Sequence, residues 1–135
     1  MACETVLVVD DEPAFLLGVR GVFEKAGVAV DTAETKDTAL KLIQETDYCL
    51  LISDLRLSGS SGEEGLEVIR SFKERFPRAS AVLLTAYGGS YIRARACEAG
   101  ADLYFEKPVS VCSLKGLLES CRTRPITPPE LNAVK

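Results

Sequence analysis

Apolar residues fall along this chain in two alternating patterns. Short continuous runs of Val, Ile and Leu are separated by longer stretches in which apolar positions recur every three or four residues. The first pattern fits a strand buried on both faces, and the second a helix with one face against a core. Thr5–Val9 (TVLVV) is the first buried run. Glu12-Pro13 then starts a helix, with Pro in its first turn; Val19, Val22, Phe23 and Ala26 keep helical spacing, and Gly27 ends it. Val28–Thr32 predicts a weaker, alternating strand near a sheet edge. Lys36–Glu45 predicts a helix with Ala39, Leu42 and Ile43 inward, and Cys49–Ser53 a second buried strand. Leu55–Gly62 (LRLSGSSG) is a Gly/Ser-rich loop, and its glycines 59 and 62 supply loop flexibility. Glu64–Phe76 predicts a third helix, closed by Pro77, and Ala81–Thr85 a third buried strand. Ser90 predicts the N-cap of a helix that reaches Ala99 and stops at Gly100. Leu103–Phe105 is the last strand, and Val111–Cys121 the last helix, with Val111, Leu114, Leu118 and Cys121 on one face.

Five βα units in succession imply an α/β fold: a parallel sheet covered on both faces, wound by right-handed crossovers into a three-layer sandwich. Such sheets bind ligands outside the carboxyl ends of their strands. Here those ends are polar. Thr5–Val9 ends on Asp10 and Asp11, Cys49–Ser53 on Asp54, Ala81–Leu84 on Thr85, and Leu103–Phe105 runs into Glu106-Lys107-Pro108. Residues 1–122 read as one domain. Residues 123–135, with prolines at 125, 128 and 129, read as a tail or linker.

Composition acts mainly by exclusion. A chain of 135 residues with 47% hydrophobic and 27% charged residues is long and apolar enough for one globular core. A net charge of −4 without a basic stripe argues against nucleic-acid binding by this domain. No apolar stretch reaches membrane-spanning length and no signal peptide is expected, so the expected location is cytoplasmic. Five cysteines without a CxxC, and no histidine, leave no zinc site and no histidine-based triad. Free buried thiols are expected.

Three clustered carboxylates cannot all stay ionised without a counter-charge, so either one pKa rises or a cation sits between them. Oxygen-only ligands suit Mg²⁺, which often shares its shell with a phosphate. Lys107 adds a fixed positive charge and Thr85 a hydroxyl, able to hold further phosphoryl oxygens. A carboxylate in such a site can itself be the nucleophile, forming an acyl phosphate. Neither GxxxxGK[ST] nor a GxGxxG after a strand is present, so a phosphoryl donor has to come from elsewhere.

Five segments carry a resemblance: Val8-Val9-Asp10-Asp11-Glu12-Pro13, Ser53-Asp54-Leu55-Arg56-Leu57, Leu84-Thr85-Ala86-Tyr87, Gly100-Ala101-Asp102 and Tyr104-Phe105-Glu106-Lys107-Pro108. In this order, from about Thr5 to Cys121, the chain resembles the receiver domains of two-component response regulators, the CheY-like family. The resemblance implies a flavodoxin-like sheet of order 2-1-3-4-5 and a phosphorylation switch. Asp54 would be the phosphoacceptor. Asp11, Asp54 and the Arg56 backbone carbonyl would ligate Mg²⁺, with Asp10 acting largely through water. Lys107 would contact the phosphoryl group, Thr85 would swing toward it, and Tyr104 would follow. The Lys107–Pro108 peptide would be cis. The donor would be a sensor histidine kinase or a phosphotransfer protein, and the recipient a downstream output domain or protein. The receiver would catalyse only its own phosphorylation and dephosphorylation.

Some features depart from the family or vary within it. Leu57-Ser58 stands where Met-Pro is frequent, and the loop before Gly65 is about three residues longer than usual. Arg56 and Tyr87 flank the phosphoryl site and would slow hydrolysis by restricting water. Cys112 and Leu117 stand where one subfamily places basic dimerisation residues, so that dimer is not expected and the oligomeric state stays open. Phe15 and Leu16, with Leu17, exceed what one helix face needs and would either join the core or dock a partner beside the acids. Tyr91, Arg95, Tyr104 and Lys115 are the expected exposed reporters of the switching face. A pseudo-receiver that binds partners without phosphorylation is the alternative. A haloacid-dehalogenase-type hydrolase would need a second Asp where Arg56 stands, and a flavin phosphate would meet repulsion at Asp10-Asp11-Glu12.

Overall fold

The computed structural model describes residues 5–57, 62–86 and 88–123, apart from the side chains of residues 111 and 121–123. Five parallel strands form one sheet in the order β2-β1-β3-β4-β5. The strands are β1 (Thr5–Val9), β2 (Ala29–Ala33), β3 (Leu50–Asp54), β4 (Ser80–Thr85) and β5 (Leu103–Glu106). The helices are α1 (Pro13–Lys25), α2 (Lys36–Glu45), α3 (Glu64–Arg75), α4 (Ser90–Ala99) and α5 (Val111–Thr123).

Side-chain alternation along each strand builds two separate cores. Val6, Val8, Leu50, Ile52, Val82 and Leu84 point to one face, where Leu16, Val19 and Phe23 of α1 and Leu114 and Leu118 of α5 cover them. Leu7, Val9, Leu51, Ala81 and Leu83 point to the other, under α2, α3 and α4. Each fully buried Leu, Ile or Phe contributes about 1.5–3 kcal/mol through the water it sheds, which is why the interior positions of the central strands are apolar and their polar residues stand at the ends. Where the strands emerge from both layers, polar side chains appear.

The ladder moves several element ends by a residue. Thr5 pairs with Ala29 and Val6 with Leu50, so β2 spans Ala29–Ala33 and β3 ends on Asp54 rather than before it. Val28 instead closes the end of α1, its N–H bonding the Phe23 carbonyl. Gly89, at φ 129°, is the N-cap of α4, and Ser90 is its first residue. Gly100 ends that helix in the left-handed conformation, as its type predicts. α5 runs to Thr123, one residue into the expected tail, and residues 124–135 lie outside the described residues.

Two expectations change with burial. Leu16 is 6% exposed and belongs to the core, whereas its neighbour Leu17 is 72% exposed, so docking cannot use Leu16. Leu117 also packs inward, in the α1/α5 core. Among the described residues the thiols are not free and buried: Cys97 and Cys112 are free but exposed on their helices, and Cys49 is disulfide-bonded; Cys3 and the Cys121 side chain lie outside the described residues.

Candidate functional site

The carboxyl ends of β1, β3, β4 and β5 place the site. Sheet register sets Val9 beside Ser53, Asp54 beside Leu84, and Thr85 beside Glu106. The residue that follows each buried run is therefore delivered to the same edge. Asp10, Asp11 and Asp54 each offer a carboxylate oxygen there, all within 4.8 Å of one another. Asp10 is buried, Asp54 is half-buried and Asp11 is exposed.

One cation holds this acidic group together. The Lys107 ammonium lies 2.7 Å from Asp10 Oδ2 and 3.3 Å from Asp54 Oδ2. It also sits 5.1 Å from the centre of the Phe15 ring. Backbone amides complete the carboxylates: Glu12 N–H donates to Asp10 Oδ1 and Leu55 N–H to Asp54 Oδ1. Both oxygens of Asp10 thus have protein partners. The Lys107–Pro108 peptide is cis, and Lys107 N–H donates to the Thr85 carbonyl.

Charge and burial leave their mark on titration. Burial pushes the Asp54 carboxyl above its ordinary value; the Lys107 charge opposes this and the Asp10 charge adds to it. Burial also works against the Lys107 ammonium, but hydrogen bonds and charges from Asp10 and Asp54 outweigh it and hold the group above its ordinary value. The ionised Asp54 carboxylate therefore gains from any added positive charge.

Thr85 is fully buried at the end of β4, and Tyr104 is fully buried on β5. Tyr104 is thus not the exposed reporter expected from the sequence. Its hydroxyl donates to Glu106 Oε2 and accepts from Gly89 N–H, and the Arg93 guanidinium lies 4.9 Å from the ring centre. Gly88 permits this, because a Cβ there would collide with the Tyr104 hydroxyl and the Glu106 carboxylate. Tyr91 is 64% exposed on α4, while Arg95 is tied to the Tyr91 hydroxyl and to Glu63. Lys115 is exposed on α5 and Arg56 at the end of β3; Tyr87 lies outside the described residues.

Gly88→Ala is expected to drive the Tyr104 ring out of its buried position. Both colliding groups are ends of side chains, so the stability cost is about 1–2 kcal/mol. Burial, with Glu106 adding to it, holds the phenol above its ordinary value. Titration of a ring-labelled Tyr104 by NMR should therefore show its pKa falling in the variant. An unchanged value would mean that the ring stays in place.

A family model described as the response regulator receiver domain matches residues 6–119. This chain belongs to that family. The receiver is 32% identical over 126 residues to the photosynthetic apparatus regulatory protein RegA of Rhodobacter capsulatus, covering 93% of this chain and 67% of RegA. It is 36% identical over 117 residues to the transcriptional regulatory protein ResD of Bacillus subtilis, covering 84% of this chain but only 47% of ResD. Among solved structures, a response regulator from Burkholderia pseudomallei with a phosphorylated aspartic acid, calcium ion and citrate superposes with a TM-score of 0.77. That similarity has 32% identity and covers 89% of this chain and 69% of the other. The receiver is a signalling module, and among its described residues no helix is long and apolar enough to cross a membrane.

Glu64, Gly65 and Gly88 also shape this region, yet sequence reading assigned them no role. A buried Glu has no local signature, and a glycine demanded by close packing looks like any loop glycine.

Proposed function

We propose that Asp54 accepts a phosphoryl group from a histidine kinase or phosphotransfer protein in a Mg²⁺-dependent reaction. The observation that carries this is the approach of the Asp10, Asp11 and Asp54 carboxylates to within 4.8 Å, with the Lys107 ammonium bridging two of them. Three carboxylates and a backbone carbonyl are oxygen donors only, a set that fits Mg²⁺. In this reading Asp11, Asp54 and the Arg56 carbonyl hold the ion. Asp10, the most buried of the three, acts largely through water and steadies Lys107. The bound ion would offset negative charge on the phosphoryl oxygens.

One Asp54 oxygen bonds to phosphorus as the phosphorus–nitrogen bond of the donor breaks, and the bonding pair stays on the imidazole nitrogen. Lys107 then pairs with a phosphoryl oxygen, Thr85 turns its hydroxyl toward another, and Tyr104 adjusts with it. The α4–β5–α5 face carries the change to an output domain or protein. For the donor, Phe15 lines a cavity of about 370 Å³ with Glu12, Ala86, Lys107, Pro108 and Val109. The domain's chemistry is confined to its own Asp54, and the setting is cytoplasmic.

The test is incubation with a small acyl phosphate, with and without Mg²⁺, followed by peptide mass mapping. One phosphoryl adduct on the Asp54 peptide, formed only with Mg²⁺, is expected. No adduct from either an acyl phosphate or a kinase would overturn the switch and leave the phosphorylation-independent interaction module.

A further inference from the structure

The geometry points to Glu64 as a positioning residue for the metal site, acting through the Arg56–Leu57 peptide. This rests on the reading of the Arg56 carbonyl as a metal ligand. Glu64 is the first residue of α3 and is only 4% exposed. A buried carboxylate persists only where hydrogen bonds replace its water. Glu64 Oε1 accepts from Leu57 N–H at 3.4 Å, and Oε2 accepts from Gly62 N–H at 3.2 Å. One side chain therefore clasps both ends of the loop that follows the phosphoacceptor strand.

The Leu57 bond matters beyond the loop. Leu57 N–H and the Arg56 carbonyl belong to one peptide plane, and in a trans peptide they point in opposite directions. Fixing the N–H on Glu64 fixes the direction of the Arg56 oxygen, away from Glu64. A carboxylate drawing on the N–H polarises the peptide and leaves its oxygen a stronger cation ligand. A Mg²⁺ ion that prefers near-ideal octahedral geometry gains from a carbonyl already aimed and polarised. Groups that orient metal ligands in this way typically change affinity 10–100-fold when removed.

The test is a Mg²⁺ titration followed by backbone amide NMR on the parent and on Glu64→Gln. Glutamine keeps the length of the side chain but offers one acceptor and one donor, so it cannot accept both N–H groups. In the parent, the Leu57 amide is expected to move as Mg²⁺ saturates, on the same isotherm as Asp11 and Asp54. In Glu64→Gln the Mg²⁺ Kd is expected to rise about tenfold or more. A clasp with a purely structural role would lower the Tm of the metal-free variant and leave the Kd unchanged, and that result overturns the proposal. A Leu57 amide that stays still in the parent while Asp11 and Asp54 respond also overturns it, whether or not the variant folds. No Mg²⁺ response at Asp11 and Asp54 in the parent would instead overturn the metal assignment itself, and this proposal with it.

Discussion

Asp54→Asn is expected to abolish phosphoryl acceptance and, in the metal-free chain at neutral pH, to raise the Tm. The first effect follows because an amide oxygen is a far weaker nucleophile than a carboxylate and forms no stable acyl phosphate here. The second follows from titration. Burial holds the folded Asp54 carboxyl above its ordinary value of 3.8, with Asp10 adding to the effect and Lys107 only partly offsetting it. A raised acid pKa in the folded state means that the unfolded chain releases its proton first. Stability therefore falls as pH rises from the ordinary carboxylate range through the raised folded value, and is level above it. Asparagine never ionises and escapes that loss, and Lys107 keeps its 2.7 Å contact with Asp10. The Tm difference between variant and parent should be near zero in acid, open across that window, and persist at neutral pH. Mg²⁺ should close it, because a cation favours the ionised parent. Thermal melts across pH, paired with mass mapping, check both effects. An adduct on the variant, or a lower Tm at neutral pH, would contradict this account.

The largest stability effect is expected from Gly65→Ala. A Cβ at this position would overlap the Asp54 carbonyl oxygen, with the carbonyl carbon at 2.8 Å and Leu55 Cα at 2.9 Å. All three are backbone atoms, so no side chain can rotate away. The start of α3 and the end of β3 meet there directly, and Gly65 N–H donates to the Leu55 carbonyl at 2.8 Å. One methyl group has to force the helix off the strand or displace the Asp54–Leu55 main chain. A loss of about 3 kcal/mol or more is expected, which lowers the Tm by about 10 °C for a domain of this size. Urea denaturation should show the midpoint falling with little change in slope. A midpoint close to that of the parent would show that this contact relaxes without cost.

Much of the fold was legible because burial imposes periodicity. β1, β3 and β4 are covered on both faces, so their sequences are continuous apolar runs and were found within a residue at each end. Those one-residue differences come from ladder register, which depends on the neighbouring strand. Phe15-Leu16-Leu17 shows where pattern fails. Three adjacent apolar residues span most of a helix circumference, and only the seating of α1 on the sheet puts Leu16 inside and Leu17 outside. Tyr104 fails for a related reason. On a four-residue edge strand its alternation is too short to read, and its burial depends on Gly88 lying close enough to cover it.

By itself, the sequence determined which element each segment forms and which polar residues end the strands, because both depend on a few neighbouring positions. Through its resemblance it also pointed to the family. The tertiary structure decided the distances. Lys107 reaches Asp10 across 97 positions of the chain and Asp54 across 53. Glu64 meets the Leu57 amide only because α3 docks its first turn against the end of β3. Contacts of that kind are set by how rigid elements pack, and packing sums many buried surfaces that no local pattern records.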